Sequence, residues 1–545
     1  MNIVRSPKTL TRALSVAAGK TAAERYASNS VLSQGRWVKI GITEDGVYRL
    51  TAADLRWMGF NDPSRVKLYG YGGHVQDEVI DADTDFDDLE EVPLYRDERG
   101  LLFFGKGLIS WSATDRRGRA THRVNTFAKQ ACYFLTEGDS PRTIEKAAVS
   151  GSPQKNLDYT PANVLYKKEE YAWYQSGRNF YESANYASSN SRTYQLPVVD
   201  PVASAGGSLK VSFTAHTTKD EGDSYVTPTV DGVKLSAMRI SWSGEYDAAK
   251  EGTQTYTLNT LHEGTTGTQV TLVSTAGVDA RLGYLELCYR RQLKMRDAFL
   301  YIRHTETAPS NLVIDANGRS GLKLWCLGRR GNPMTEYQGT WSGSTYTVPV
   351  SDPTLEYVAV DVNADFPSPS YMGEVSNQNL HATSATDMVI IIPASGKLYA
   401  QAERLAEAHR SVDGLRVQIV RADQIYNEFS SGTPDATAYR RFMKMLYDRA
   451  ATDADMPRYL LLFGDGMWDN RMITADTRGL NPDDYLLCYE SENSLSHTSS
   501  FVMEDYFGLL DDGEGDNLMK NKIDLGIGSF PVTTEAEAKI LVDKT

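Results

Sequence analysis

Residues 459–463 read Tyr-Leu-Leu-Leu-Phe, apolar at every position, and the run stops at Gly464-Asp465-Gly466. A strand with one wet face alternates apolar and polar side chains. A strand apolar throughout is covered on both faces, as in a parallel sheet between helix layers. The neighbouring sequence supplies such layers. "DMVIIIP" and "LRVQIV" read as further buried strands, and "GKLYAQAERLAEAHRSV" and "DATAYRRFMKMLYDRAA" carry apolar or small residues at helical spacing. The order β-α-β-α-β, joined by right-handed crossovers, predicts a mostly parallel sheet within residues 386–545. "KIDLGIGSFPV" adds a fourth strand. Thr533 or Thr534 caps the helix that follows, with glutamates in its first turn where the helix dipole favours them.

Upstream, helical periodicity is rare. Residues 1–33 are rich in Ser and Ala and read as a linker or a frayed helix. Residues 34–145 read as a β-rich domain. In it "RWVKIGITEDGVYRL" predicts a hairpin around Thr43–Gly46, and Thr51 caps a short helix ended by Gly59. Residues 150–380 alternate strand-like runs such as "SLKVSFTAHT" and "LGYLELCYRRQL" with turn clusters, which predicts a β-sandwich, jelly-roll-like. The expected fold class is therefore multidomain: β-rich, then β-sandwich, then an α/β unit with a mostly parallel sheet.

The net charge of −14 would repel a nucleic acid, and no basic patch offsets it. Cys132, Cys288, Cys326 and Cys488 lie far apart with no C-x-x-C pair, in apolar or aromatic surroundings. That pattern argues against a zinc site and for buried free thiols. No apolar run reaches the length of a membrane-spanning helix. The first residues lack the continuous apolar core of a signal peptide.

In open α/β sheets ligands sit outside the carboxyl ends of the strands. Asp465 follows such an end, and it could hold a metal or a substrate, orient a nucleophile, or begin a turn. "YFGLLDDGEGDN" adds Asp511, Asp512, Glu514 and Asp516 in a Gly-rich loop, and Asp524 opens the next strand. Oxygen ligands drawn from separate segments suit Ca²⁺, which takes six to eight of them. The competing reading is a solvated turn, because Asp, Asn and Gly form turns; EF-hand spacing is absent. A nucleophile would need Cys488 beside His497 or His409, which sequence proximity does not establish. "FGDG" lacks the Lys and Ser/Thr of a phosphate-binding loop.

A series of motifs in fixed order resembles one family across residues 26–545. "VLSQGRWVKIGITEDGVYRLTAADLRWMGF" and "VKLYGYGGHVQDE" come first, then "LGYLELCYRRQL", then "YLLLFGDGMWDN", "EDYFGLLDDGEGDN" and "IDLGIGSFPVTTEAEAKILVDKT". Together they resemble the sortases of the Bacteroidetes type IX secretion system, which end in a gingipain-type, caspase-like cysteine peptidase domain. The resemblance implies that residues 386–545 are the first half of that domain. It also implies that the catalytic His and Cys follow residue 545, so this portion alone is inactive. Such enzymes remove C-terminal sorting domains from exported cargo and attach the cargo to surface lipopolysaccharide. The resemblance further implies outer-membrane secretion partners, a cell-surface location and an export signal upstream of Met1. Last, it implies a structural Ca²⁺ held by Asp465, Asp511 or Asp512, Asp524 and the carbonyl of Leu509. The alternative is a non-catalytic interaction protein of the same machinery.

Overall fold

The computed structural model describes residues 25–80, 87–115, 118–202, 205–328, 333–518 and 520–545. Residues 1–24 of the expected linker lie outside them.

Thr51 starts the helix Ala52–Trp57 in a capping box: its hydroxyl accepts from Asp54 N at 3.1 Å, and the Asp54 carboxylate accepts from Thr51 N at 2.9 Å. Two orphan donors of the first turn are thereby satisfied. The predicted hairpin is not formed. Trp37–Ile42 lies between Ala131–Glu137 and Ser370–Val375, whereas Gly46–Thr51 pairs with Gly100–Gly105. Both strands are buried at nearly every position, and an isolated hairpin cannot cover both faces. The pairing with Ser370–Val375 also corrects the domain division, because a strand from the end of the second expected domain completes the sheet of the first.

The single β-sandwich expected at 150–380 is two. In the first, the sheet holding Tyr159–Tyr166, Gly207–His216, Lys250–Leu258 and Asp279–Gln292 faces the sheet of Ser191–Val198, Ser224–Val230 and Gly264–Ser274. Leu209, Val211, Phe213, Leu285 and Leu287 from one sheet meet Leu196, Val226, Val270 and Leu272 from the other. In the second, Leu322–Cys326 and Tyr357–Asp361 face Ser310–Asp315 and Thr345–Val350 around Leu324, Ile314, Val348 and Tyr357. Turn spacing alone does not divide one run of strands into two cores.

The α/β unit comprises β1 (Met388–Ile392), α1 (Tyr399–Val412), β2 (Val417–Arg421), α2 (Ala422–Phe429), α3 (Thr437–Arg449), β3 (Tyr459–Phe463), β4 (Gly526–Phe530) and α4 (Glu535–Lys544). The strands are parallel in the order β2-β1-β3-β4. Met388, Ile390, Ile392, Leu461 and Phe463 meet Leu405, Ala406 and Ala538 of α1 and α4. Val389, Ile391, Leu460 and Leu462 meet Ile425, Phe429, Tyr439 and Phe442 of α2 and α3. Side chains alternate across a strand, so both parities must be apolar here. Each such buried side chain contributes roughly 1.5–3 kcal/mol of transfer free energy. Thr534 caps α4, again in a capping box, with Glu537. β4 ends the sheet, and its Gly526, Gly528 and Ser529 are exposed.

Candidate functional site

At the carboxyl end of the sheet the chain is held by backbone bonds. Gly464 N donates to Phe530 O at 3.1 Å, Asp465 N to Val532 O at 3.0 Å, and Leu486 N to Asp465 O at 2.9 Å. The Asp465 carboxylate accepts from Gly466 N at 3.0 Å. The glycines are required by close approach: a Cβ on Gly464 would stand 2.7 Å from Pro393, and one on Gly466 2.4 Å from the Cys488 sulfur. Asp465 therefore links the end of β3 to the parallel bridge that Gly466 makes with Leu486.

Cys488 is buried, and its thiol is pushed well above the usual range, first by burial and then by the charges of Glu490, Glu504 and Asp465. A thiolate nucleophile needs the opposite environment. Neither histidine considered beside it serves. His497 is exposed and stacks on Tyr174 at 4.7 Å, and His409 Nδ1 pairs with Asp413 at 2.7 Å within the last turns of α1. All four cysteines are buried, and none is joined in a disulfide.

The acidic loop lies elsewhere. β3 and β4 are parallel, with Tyr459 level with Gly526 and Phe463 level with Phe530. Asp465 follows β3 at its carboxyl end, whereas Asp524 precedes β4 at its amino end. The four residue steps between those ends alone span about 13 Å. Asp465 and Asp524 thus cannot ligate one ion, which corrects the set of Asp465, Asp511, Asp512, Asp524 and Leu509. A parallel strand returns its start, not its end, to the start of its neighbour.

The other expected ligands already have partners. Asp512 accepts from Arg25 at both oxygens, 2.9 and 3.0 Å, and meets Lys444 Nζ at 2.8 Å. Burial would raise its carboxyl, but these cations outweigh burial and hold it at about 2. The Leu509 carbonyl accepts from Arg440 Nε at 2.5 Å. Asp511 accepts from Tyr447 Oη at 3.1 Å, and Asp524 accepts from Leu510 N at 2.8 Å. Burial, and then the neighbouring Asp511 and Glu514, raise Asp524 to about 6. Among the described residues, no three His, Cys, Asp or Glu side chains are grouped to hold a metal ion. The donor set implied by the resemblance does not fit a single Ca²⁺ centre.

Sequence reasoning missed the basic side of this loop. Arg440 is fully buried on α3, stacks 4.9 Å from the Tyr506 ring and donates to the carbonyls of Leu509, Glu514 and Glu78. Lys444, one turn on, is equally buried and donates to Leu510 O at 2.9 Å. The i, i+4 spacing of Arg440 and Lys444 was a readable signal that both project from one helix face. Nothing in the sequence connects Arg25 to Asp512.

A cleft of about 310 Å³ lies where the N-terminal unit, the first sandwich and the α/β unit meet, lined in part by His122, Arg178, Tyr284 and Glu492. Its charges are internally paired: Arg178 with Glu78 at 2.5 Å, and His122 Nδ1 with Glu286 at 2.7 Å. Among the described residues, no helix is long and apolar enough to cross a membrane.

Comparison with known proteins agrees with this architecture. Residues 381–545 match the model of peptidase family C25. No curated protein sequence matches the chain. Among solved structures, dimeric latent PorU from Porphyromonas gingivalis is 29% identical with a TM-score of 0.83, over 95% of this chain. The match covers 50% of the PorU chain, so this chain spans about half the length of that relative. Eiger TNF from S. frugiperda, at 15% identity over 24% of this chain and 93% of its own, has a TM-score of 0.14, which carries no argument. Residues 381–545 thus match the peptidase family C25 model, and 95% of the chain is similar in fold to PorU.

Proposed function

We propose that the chain is the N-terminal portion of a type IX secretion sortase. Its β-rich units and the first half of its peptidase domain would serve a cysteine peptidase that removes the C-terminal sorting domains of exported cargo and joins the cargo to surface lipopolysaccharide. The reading places the protein at the outer-membrane surface, with cargo and other secretion components as partners. It assigns the catalytic His and Cys to positions outside residues 1–545. The observation that carries the reading is the match to PorU along 95% of this chain, joined to a C25 segment. The burial and raised pKa of Cys488 support a nucleophile located elsewhere. Cleavage needs thiolate, base and oxyanion donors together.

The test is to incubate residues 1–545, and separately a protein of PorU length containing them, with a cargo protein that carries a sorting domain. The reading expects cleavage by the longer protein only. Cleavage by residues 1–545, abolished in Cys488→Ala, would overturn it.

A further inference from the structure

The acidic loop contains carboxylates a cation would attract, yet Asp512 faces the chain's own basic groups. Asp448 on α3 and Asp512 in the loop share Arg25 and Lys444. Arg25 Nη1 lies 2.9 Å from each carboxylate, and Lys444 Nζ lies 3.2 Å from Asp448 and 2.8 Å from Asp512. Two negative charges meet two positive ones, and all four side chains are at least three-quarters buried. A guanidinium engages a carboxylate through two parallel N–H donors, the pattern Arg25 makes on Asp512.

Arg25 belongs to a segment fastened along its length. Tyr26 Oη donates to Asp448 at 2.8 Å, and its ring lies 5.6 Å from the Arg449 guanidinium. Ala27 N donates to Asp87, and Ala27 O accepts from Arg449. Ser30 N donates to Asn379 at 2.9 Å, and Val31 N donates to Asp88. Arg25–Val31 is thus a strap tying the N-terminal unit and residue 379 to α3 and the acidic loop.

We propose that Arg25 is an internal cation: the strap fixes the acidic loop without a metal, in place of the Ca²⁺ that the family resemblance implied. This inference stands apart from the sortase reading, since it concerns the amino end of the sheet and no catalytic group. It requires that the loop be ordered in the presence of a chelator and that its order depend on Arg25. Lys444 neutralises only one of the two carboxylates, so removal of Arg25 leaves a buried negative charge uncompensated.

The experiment is hydrogen exchange at the amides of residues 509–516, with thermal unfolding, on the whole chain in EDTA and in millimolar Ca²⁺. The wild-type chain is expected to give the same protection and the same midpoint in both. Arg25→Gln is expected to exchange at least tenfold faster in the loop and to unfold at lower temperature. Arg25→Lys, which keeps the charge and loses the paired donors, is expected to fall between them. Loss of wild-type protection in EDTA, or Arg25→Gln protection equal to wild type, would overturn the proposal. The exposed ion pair Arg36–Glu374 supplies a control: Arg36→Gln is expected to leave loop exchange unchanged, and a change equal to that of Arg25→Gln would also count against it.

Discussion

His381 Nδ1 lies 2.6 Å from Glu428 Oε2, and both side chains are fully buried. The other ring nitrogen, Nε2, lies 2.8 Å from Asp87 of the N-terminal unit. The ring stacks on Phe429 at 4.8 Å, and Glu428 also accepts from the Leu380 and His381 backbone N–H groups. One imidazolium therefore joins the N-terminal unit to α2, at the entrance to the peptidase segment. Burial would lower its pKa, but the bonds to Asp87 and Glu428 outweigh burial and raise it to about 9, with Asp88 adding to the effect.

A raised histidine contributes stability that is complete below its unfolded pKa of about 6.5 and is lost as pH rises through about 9. Urea midpoints measured from pH 6 to 10 should fall across that window. His381→Gln should cost about 3 kcal/mol at pH 6, as for a buried pair deprived of one partner, and should flatten the dependence. A wild-type midpoint constant over this range would remove His381 as an interdomain tie.

Asp524 behaves in the opposite pH region. Its folded pKa is raised to about 6 by burial and by Asp511 and Glu514, so the folded state holds its proton more firmly than the unfolded chain. Stability should therefore fall as pH rises from about 4 to about 6. Asp524→Asn keeps an acceptor for Leu510 N and removes the charge, so it should stabilise the chain at pH 7 by about 1 kcal/mol after discounting for solvent. Calorimetry of both proteins at pH 4.5 and 7 checks this. Equal differences at the two pH values would contradict it.

Gly466 and Cys488 should couple. A methyl group at Gly466 would press on the Cys488 sulfur, so Gly466→Ala should destabilise by about 2 kcal/mol through overpacking. Cys488→Ala in the same chain should return part of that loss, giving a coupling energy of about 1 kcal/mol in a double-mutant cycle. Strictly additive effects would mean that the bridge of Gly466 to Leu486 does not rest on Cys488.

The α/β unit was legible because its signals are local. Leu460 through Phe463 are apolar on both parities, and Thr534 lies three residues before Glu537, so the sheet and the last helix follow from neighbours in sequence. The hairpin expected at Thr43–Gly46 failed because turn residues do not reveal that Trp37–Ile42 pairs with Ala131–Glu137 and Ser370–Val375, far away in sequence. The two sandwich cores merged in the sequence reading for the same reason. At the candidate site, residue types were read correctly as acidic, but their convergence was not. Whether Asp465 and Asp524 meet depends on strand direction and register, and Arg25, far away in sequence, holds the partner that Asp512 uses.

The proposed sortase reading is that these residues carry the scaffold of a cysteine peptidase and not its nucleophile. An acyloxymethyl ketone peptide alkylates an activated thiolate and spares buried thiols. Applied to a native protein of PorU length containing these residues, and mapped by mass spectrometry, it should label a cysteine outside residues 1–545 and leave Cys132, Cys288, Cys326 and Cys488 unmodified. Stoichiometric labelling of Cys488 would contradict the account.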